Sequence, residues 1–191
     1  SPSLNISSQY YPETFVDDAS FFNSVRAESI TAGNQNSCVV YDDQSMSCTG
    51  YNYYGVLGVG YQSPSPYYET EHVKVNFPEG VKIVKAESGI SSTCAIDTEG
   101  ILWCWGHNTY GQTGSGSTET YLDSPERVLI DSNETIVDVA LGYQYKCALT
   151  VSQQIYCWGN NNYGQLHFSS SDFSEKTMPT KIDIPNGINP V

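Results

Sequence analysis

Short apolar bursts separated by polar turns run the length of this chain, and its middle shows the pattern most cleanly. Ile83-Val84-Lys85-Ala86 reads as a short apolar strand leading to Gly89. Thr93-Cys94-Ala95-Ile96-Asp97 and Ile101-Leu102-Trp103-Cys104-Trp105 then flank Thr98-Glu99-Gly100, two strand-like runs around a polar turn. A three-residue loop ending in glycine suits a type I turn closed by a left-handed residue. The same arithmetic predicts hairpins about Asp43 and Ser152, where Gln44 and Gln153 replace the turn glycine and leave the turn type open. A fourth strand is marked after a loop by Pro125-Glu126-Arg127-Val128-Leu129 and by Pro179-Thr180-Lys181-Ile182. Glu71-His72-Val73-Lys74-Val75 takes that place in the first unit, without the proline. A further copy, Pro12-Glu13-Thr14-Phe15-Val16, precedes every cysteine. Four such strands against three hairpins predict one strand, at 179–184, without a hairpin of its own.

The bursts belong to a longer repeat. Cys38 and Cys48, Cys94 and Cys104, and Cys147 and Cys157 recur at one spacing, each pair preceded by Gly33, Gly89 or Gly142. Gly50, Gly106 and Gly159 follow, then Asn52, Asn108 and Asn161, then Tyr54-Gly55, Tyr110-Gly111 and Tyr163-Gly164. The period of about fifty to fifty-six residues is that of propeller blades, not of short solenoid turns. It divides the chain into an N-terminal arm (1–26) contributing a strand to the first unit, repeats at 27–75, 76–129 and 130–184, and a tail (185–191). Folding the middle hairpin about Glu99 sets Ile96 opposite Leu102, Ala95 opposite Trp103 and Cys94 opposite Cys104, near enough for a disulfide. Six cysteines permit fifteen pairings, of which only the pairing within each repeat follows from hairpin register. Reduced core thiols and zinc are the alternatives, although nine intervening residues is not a zinc-knuckle spacing.

Cys104-Trp105-Gly106-His107-Asn108-Thr109-Tyr110-Gly111-Gln112 and Cys157-Trp158-Gly159-Asn160-Asn161-Asn162-Tyr163-Gly164-Gln165-Leu166 carry a compound signature. With Gly89, Gly142 and the later Pro-x-x-apolar strand, it resembles the regulator of chromosome condensation repeat family, over roughly residues 27 to 184. The resemblance implies an all-β chain of three antiparallel four-stranded blades, a partial propeller or open blade array. The first unit departs from the pattern, with Thr49-Gly50 for Trp-Gly and Val56-Leu57 for Gln-Leu. The cysteine pairs suit a secreted variant, and no guanine-nucleotide-exchange residue is carried over. Trp103, Trp105, Tyr156 and Trp158 read as packing aromatics in preference to a sugar-stacking set. The repeated Gly and Asn residues read as backbone devices for tight turns.

Charge and composition narrow the function. Eight Lys and Arg against 21 Asp and Glu give a net charge of -13, which repels nucleic-acid phosphates and anionic membranes. No apolar run is long enough to span a bilayer, and Ser1-Pro2-Ser3 opens without a leader, as after signal removal or within a longer chain. Paired cysteines point to an oxidising, extracellular compartment. His72, His107 and His167 occupy unlike places in their repeats and read as ordinary surface or turn residues. Gly114-Ser115-Gly116-Ser117 lacks a phosphate-loop lysine, Asp42-Asp43 reads as a hairpin turn, and no metal, cofactor or catalytic residue is expected. Asn5-Ile6-Ser7 and Asn133-Glu134-Thr135 are N-glycosylation sequons, so Asn5 and Asn133 are candidate sugar carriers. The dissimilar segments 59–70, 115–124 and 167–178 should emerge on one shared face, with Tyr61, Tyr67, Tyr68, Tyr121, Phe168 and Phe173 as candidate partner contacts. Two readings follow. One is a non-enzymatic extracellular structural glycoprotein that joins copies of itself head-to-tail, through an unpaired strand or the N-terminal arm, giving a filament if the rotation does not close. The other is part of a larger secreted propeller that binds another extracellular protein, or a glycan, through its loops.

Overall fold

The computed structural model describes residues 25–131, 133–166, 168 and 172–183, and these form three antiparallel four-stranded sheets in chain order. The first holds β1 (Ala27–Ala32), β2 (Asn36–Tyr41), β3 (Met46–Tyr51) and β4 (Tyr68–Lys74). The second holds β5 (Ile83–Ser88), β6 (Ser92–Asp97), β7 (Leu102–His107) and β8 (Tyr121–Arg127). The third holds β9 (Ile136–Leu141), β10 (Tyr145–Thr150), β11 (Ile155–Gly159) and β12 (Lys176–Ile182). Each sheet is a simple meander, and the described residues include no helix.

The predicted hairpin register is the observed one: Ile96 faces Leu102, Ala95 faces Trp103, and Cys94 faces Cys104. Cys38 faces Cys48 and Cys147 faces Cys157 in the same way, and all three pairs are disulfides with Cα atoms 4.1 Å apart. The turns left open by the sequence are alike. Gln44 (φ 66°) and Gln153 (φ 61°) take the left-handed conformation of Gly100 (φ 74°). A non-glycine residue there costs about 1–2 kcal/mol, and local side chains offset it. Asp43 Oδ1 accepts bonds from the Ser45 amide and hydroxyl in the first turn, and Thr150 Oγ1 accepts from the Gln154 amide in the third.

The expectation of a strand without a hairpin is overturned. β12 pairs with β11 through Ile155–Ile182, Tyr156–Lys181 and Cys157–Thr180, completing the third sheet. The first sheet likewise has four strands from within residues 27–74. The surplus copy at Pro12–Val16, the rest of the N-terminal arm, and the tail 185–191 lie outside the described residues.

Apolar burial is concentrated between sheets, where two clusters fill two seams. Cys38, Val40, Met46, Cys48, Val56 and Val75 of the first sheet pack on Ile83, Ala86, Ala95 and Trp105 of the second. Cys94, Ile96, Leu102, Cys104 and Val128 pack in the same manner on Ile136, Val139, Ala148 and Trp158 of the third. The two indoles are fully buried, and each donates backwards into the preceding unit: Trp105 Nε1 to the Val56 carbonyl at 2.8 Å, Trp158 Nε1 to the Gln112 carbonyl at 3.0 Å. Gly58 and Gly114 make the slots, since a Cβ on either would stand 2.6 or 2.7 Å from the indole nitrogen. These tryptophans are therefore seam residues, with Trp103 and Tyr156 packed beside them.

Candidate interaction surface

Antiparallel meanders of one order send equivalent loops to one end. The β1–β2 turn and the β3–β4 loop of each sheet emerge together, tied by the amides of Tyr51, His107 and Asn160 to the carbonyls of Gln35, Ser91 and Gln144. A bulge between Cys48 and Gly50, repeated at Cys104/Gly106 and Cys157/Gly159, marks where each third strand turns away from its fourth. The asparagines of the repeat then organise the loops from inside. Asn52 Oδ1 accepts from the Leu57 amide while Nδ2 donates to the Tyr61 carbonyl and Ser63 Oγ. Asn108 binds Thr113 and the Ser117 and Glu119 carbonyls, and Asn161 binds Leu166 and the Asp172 carbonyl. All three are buried. The described parts of the long segments are thus held on a shared face by three interior pins.

Aromatic rings gather where the loops of the first two sheets meet. Tyr53 is the hub, with ring centroids 5.0 Å from Tyr54, 5.0 Å from Tyr67, 6.2 Å from Tyr51 and 6.3 Å from Tyr121. Tyr54 lies 5.5 Å from Tyr121 and 5.0 Å from His107. Burial, then the neighbouring phenols of Tyr51, Tyr121, Tyr53 and Tyr143, raises the Tyr54 pKa above its ordinary value. His107 is held in one tautomer. Gln112 Oε1 accepts from the Tyr110 amide, so its Nε2 donates to His107 Nδ1, and His107 Nε2–H donates to Thr109 Oγ1. Burial, assisted by the nearby Lys146 charge, lowers the His107 pKa. The ring is neutral at physiological pH.

The predicted contact residues separate into two groups. Tyr67 and Tyr121 join the cluster, Tyr68 is exposed beside it, and Tyr61 reaches Glu69 Oε1 at 3.4 Å, where Ser63 also donates. Phe168 and Phe173 belong to the third sheet's loop, away from that cluster. The Lys176 ammonium lies 5.1 Å from the Phe168 ring centroid, and Phe173 is exposed near Gly164. Asp172 braces this loop, its pKa pulled down to about 2 by bonds from Ser174 and Lys176. Sequence reasoning missed Tyr51, Tyr53, Tyr54 and His107, having assigned the Tyr-Gly positions to turn geometry alone. The available signal was Tyr51 and Tyr53 in the first unit, where the others carry His107 and Thr109 or Asn160 and Asn162.

Beneath this end lies a buried lysine. Lys146, next to Cys147 in β10, has no exposed surface and donates to Ser92 Oγ across the second seam at 2.9 Å. Desolvation lowers its pKa from 10.5 to about 7. The equivalent Thr93 fills the first seam with a hydroxyl bonded to the Val56 carbonyl. His72 is an exposed strand residue beside Ser47, Asn133 is exposed in the 131–134 turn at the opposite end, and Asn5 and His167 fall outside the described residues. Among the described residues no group of three His, Cys, Asp or Glu side chains could hold a metal ion. None of their helices is long and apolar enough to cross a membrane, since they form none.

Comparison with known proteins agrees with this geometry. The regulator of chromosome condensation (RCC1) repeat matches residues 99–149, and a second description of the same repeat matches 83–112 and 136–165. The ultraviolet-B receptor UVR8 of Arabidopsis thaliana is 27% identical over 165 residues, covering 86% of this chain and 36% of the receptor. The human E3 ubiquitin-protein ligase HERC2 is 28% identical over 168 residues, 86% of this chain and 3% of the ligase. Among solved structures, yeast RCC1 (Prp20), crystallised with Kap60, superposes with a TM-score of 0.74 at 16% identity, covering 83% of this chain and 37% of that one. Human WBSCR16 does so with a TM-score of 0.72 at 20% identity, covering 83% and 38%. The chain thus spans a little over a third of the plant receptor and of both solved chains, and a small fraction of the ligase.

Proposed function

Because this chain is built of regulator of chromosome condensation repeats, we propose that it acts as a non-enzymatic interaction module whose β3–β4, β7–β8 and β11–β12 loop face receives a protein partner. The carrying observation is the junction of the first two loops, where the interior asparagines Asn52 and Asn108 hold a tyrosine-rich surface in place. Tyrosine supplies large, rigid contact area with a polar tip and little rotamer entropy to lose. A photo-crosslinking amino acid at Tyr68 is expected to capture a partner in extracts of the source cells, whereas one at Glu99, on the opposite end, is not. Equal capture from both positions, or from neither, sinks the loop-face reading.

A finer reading places the module outside the cell, in contact with copies of itself and carrying sugar. Three buried or nearly buried disulfides favour an oxidising compartment. Asn133 is exposed at the end opposite the loops, where a glycan leaves the tyrosine surface open. Ile30 stands at the position that Ala86 and Val139 bury in the two seams, yet is 80% exposed. If a second copy covers that face, sedimentation velocity will show concentration-dependent dimers or longer species, lost in Ile30→Asp. Monomers throughout the micromolar range remove self-association. An unchanged mass after glycosidase treatment of protein from its natural source removes the glycan.

A further inference from the structure

We propose that the tyrosine surface at the junction of the first two sheets takes up an arginine side chain from a basic segment of the partner. This rests on the loop-face reading above and adds the chemistry of what is bound. The rings do not form a flat platform. Tyr53 meets Tyr54 at 81° and Tyr67 at 83°, and Tyr121 at 64°, so ring faces and edges make a corner. A sugar covers one flat ring face, whereas a planar cation is attracted to any accessible face and stacks there. Tyr67 and Tyr68, 39% and 51% exposed, bring that corner to solvent.

Charge supplies the second argument. No Lys or Arg occurs in 33–35, 51–68, 89–91, 107–121, 142–145, 160–166 or 172–175, the described segments that build this end. Of the eight Lys and Arg residues, Arg26, Lys74, Lys82, Lys85, Arg127 and Lys181 lie on or beside strands, Lys146 is buried beneath, and Lys176 stands at the third loop, where Asp172 and Ser174 hold it beside Phe168. No exposed cation of these segments therefore occupies the ring faces or repels an incoming one. His107, which would be the exception, is kept neutral by the Gln112 amide. Carboxylates flank the rings instead. Glu69 is oriented by Ser63 and Tyr61, Asp123 lies against the Tyr54-Gly55 turn, and Glu119 is exposed in the second loop. With a net charge of -13 behind them, approach of a basic segment is favoured at long range. Arginine fits better than lysine because its guanidinium is planar, weakly hydrated and able to stack while its edge meets a carboxylate.

Three labelled Gly-Ser peptides of one length, carrying two arginines, two lysines or two citrullines, test this by fluorescence anisotropy. Citrulline keeps the shape and removes the charge. The arginine peptide is expected to bind most tightly, the lysine peptide several-fold more weakly, and the citrulline peptide at least about tenfold more weakly. Tyr67→Ser with Tyr121→Ser should weaken arginine binding about tenfold, while Glu79→Gln with Glu99→Gln on the opposite end leaves it within about twofold. Because Tyr121 belongs to β8, a second measurement uses the unaltered chain: bound arginine peptide should slow nitration of Tyr67 and Tyr68 but not of Tyr163. Equal binding by citrulline, or binding unchanged in the tyrosine variant, overturns the proposal in favour of polar contact or diffuse charge. Capture at Tyr68 without arginine-peptide binding leaves the loop-face reading standing and removes the arginine. Failure of both removes both.

Discussion

At the scale of single residues, Lys146 is the most exacting feature of the molecule. A buried ammonium is costly unless paired, and the hydrogen bond found for this one goes to a neutral hydroxyl, Ser92 Oγ. Trp158 faces it across the β10–β11 pair and Leu141 across β9–β10, and the titratable side chain it influences is His107. Folding therefore favours the neutral amine, with the pKa falling from 10.5 to about 7. Between those values the unfolded chain binds a proton that the folded chain does not, so stability rises with pH across that window. The contribution is present above 10.5 and lost as pH falls through about 7. His107, also lowered, extends the loss on the acid side of its ordinary value. The difference in unfolding free energy between the wild type and Lys146→Met isolates the effect from other titrations. Urea melts should show Lys146→Met more stable by about 1 kcal/mol or more at pH 7, with the advantage shrinking towards pH 10. A constant difference across that range would mean that the amine stays charged inside the seam.

At the scale of the element, a tryptophan of one sheet keys into a glycine slot of the sheet before it. Trp158→Phe leaves the Gln112 carbonyl buried and without the indole donor, at a cost of about 1–3 kcal/mol in thermal or urea unfolding, whereas Trp105→Phe leaves the Val56 carbonyl with the Thr93 hydroxyl and loses less from this bond. Thr49 occupies the same place in the first sheet but faces no preceding sheet among the described residues, and its hydroxyl donates to the Glu69 carbonyl within its own sheet. Thr49→Trp should accordingly move stability by no more than about 0.5 kcal/mol. The first two disulfides follow the same logic, because each packs in the seam towards the next sheet. Cys38 and Cys94 are buried by that neighbour, whereas Cys147 is only partly covered. Graded reduction with alkylation and mass spectrometry should open Cys147–Cys157 first. Much of this element was legible in advance. Hairpin register put each cysteine opposite its mate, and Trp105 and Trp158 read correctly as packing residues. The direction of their docking was not legible, because Gly58 and Gly114 look in sequence like ordinary turn glycines. The β12 error had a similar source: counting strands by their prolines gave no information on which hairpin each one joins. The tyrosine surface was half visible, through Tyr67 and Tyr121, since its hub at Tyr53 exists only once two loops are brought side by side.

At the scale of the whole molecule, stability should be unevenly shared. In an array whose units bury apolar surface mainly against their neighbours, each unit's stability depends on how many seams it joins. The second sheet joins two. Its β6 is buried at all six positions, and Cys94, Ile96, Leu102 and Cys104 face one cluster while Ile83, Ala95 and Trp105 face the other. Among the described residues the first and third sheets each join one, and β1 is exposed at five of its six positions. Their disulfides, each closing a short loop, contribute about 2–3 kcal/mol by restricting the unfolded chain, but this holds a hairpin together without holding it to its neighbour. Hydrogen exchange should therefore be slowest in β6 and β7, intermediate in the disulfide-linked hairpins β2–β3 and β10–β11, and fastest in β1 and β12. Trp105→Phe should quicken exchange across the first seam and leave the second sheet anchored to the third, and Trp158→Phe should do the converse. Uniform protection across all three hairpins, or one cooperative loss in both variants, would show that the sheets melt as a single unit. The loop face spans both seams, so such uniformity would also mean that a partner meets one rigid surface instead of three that shift independently.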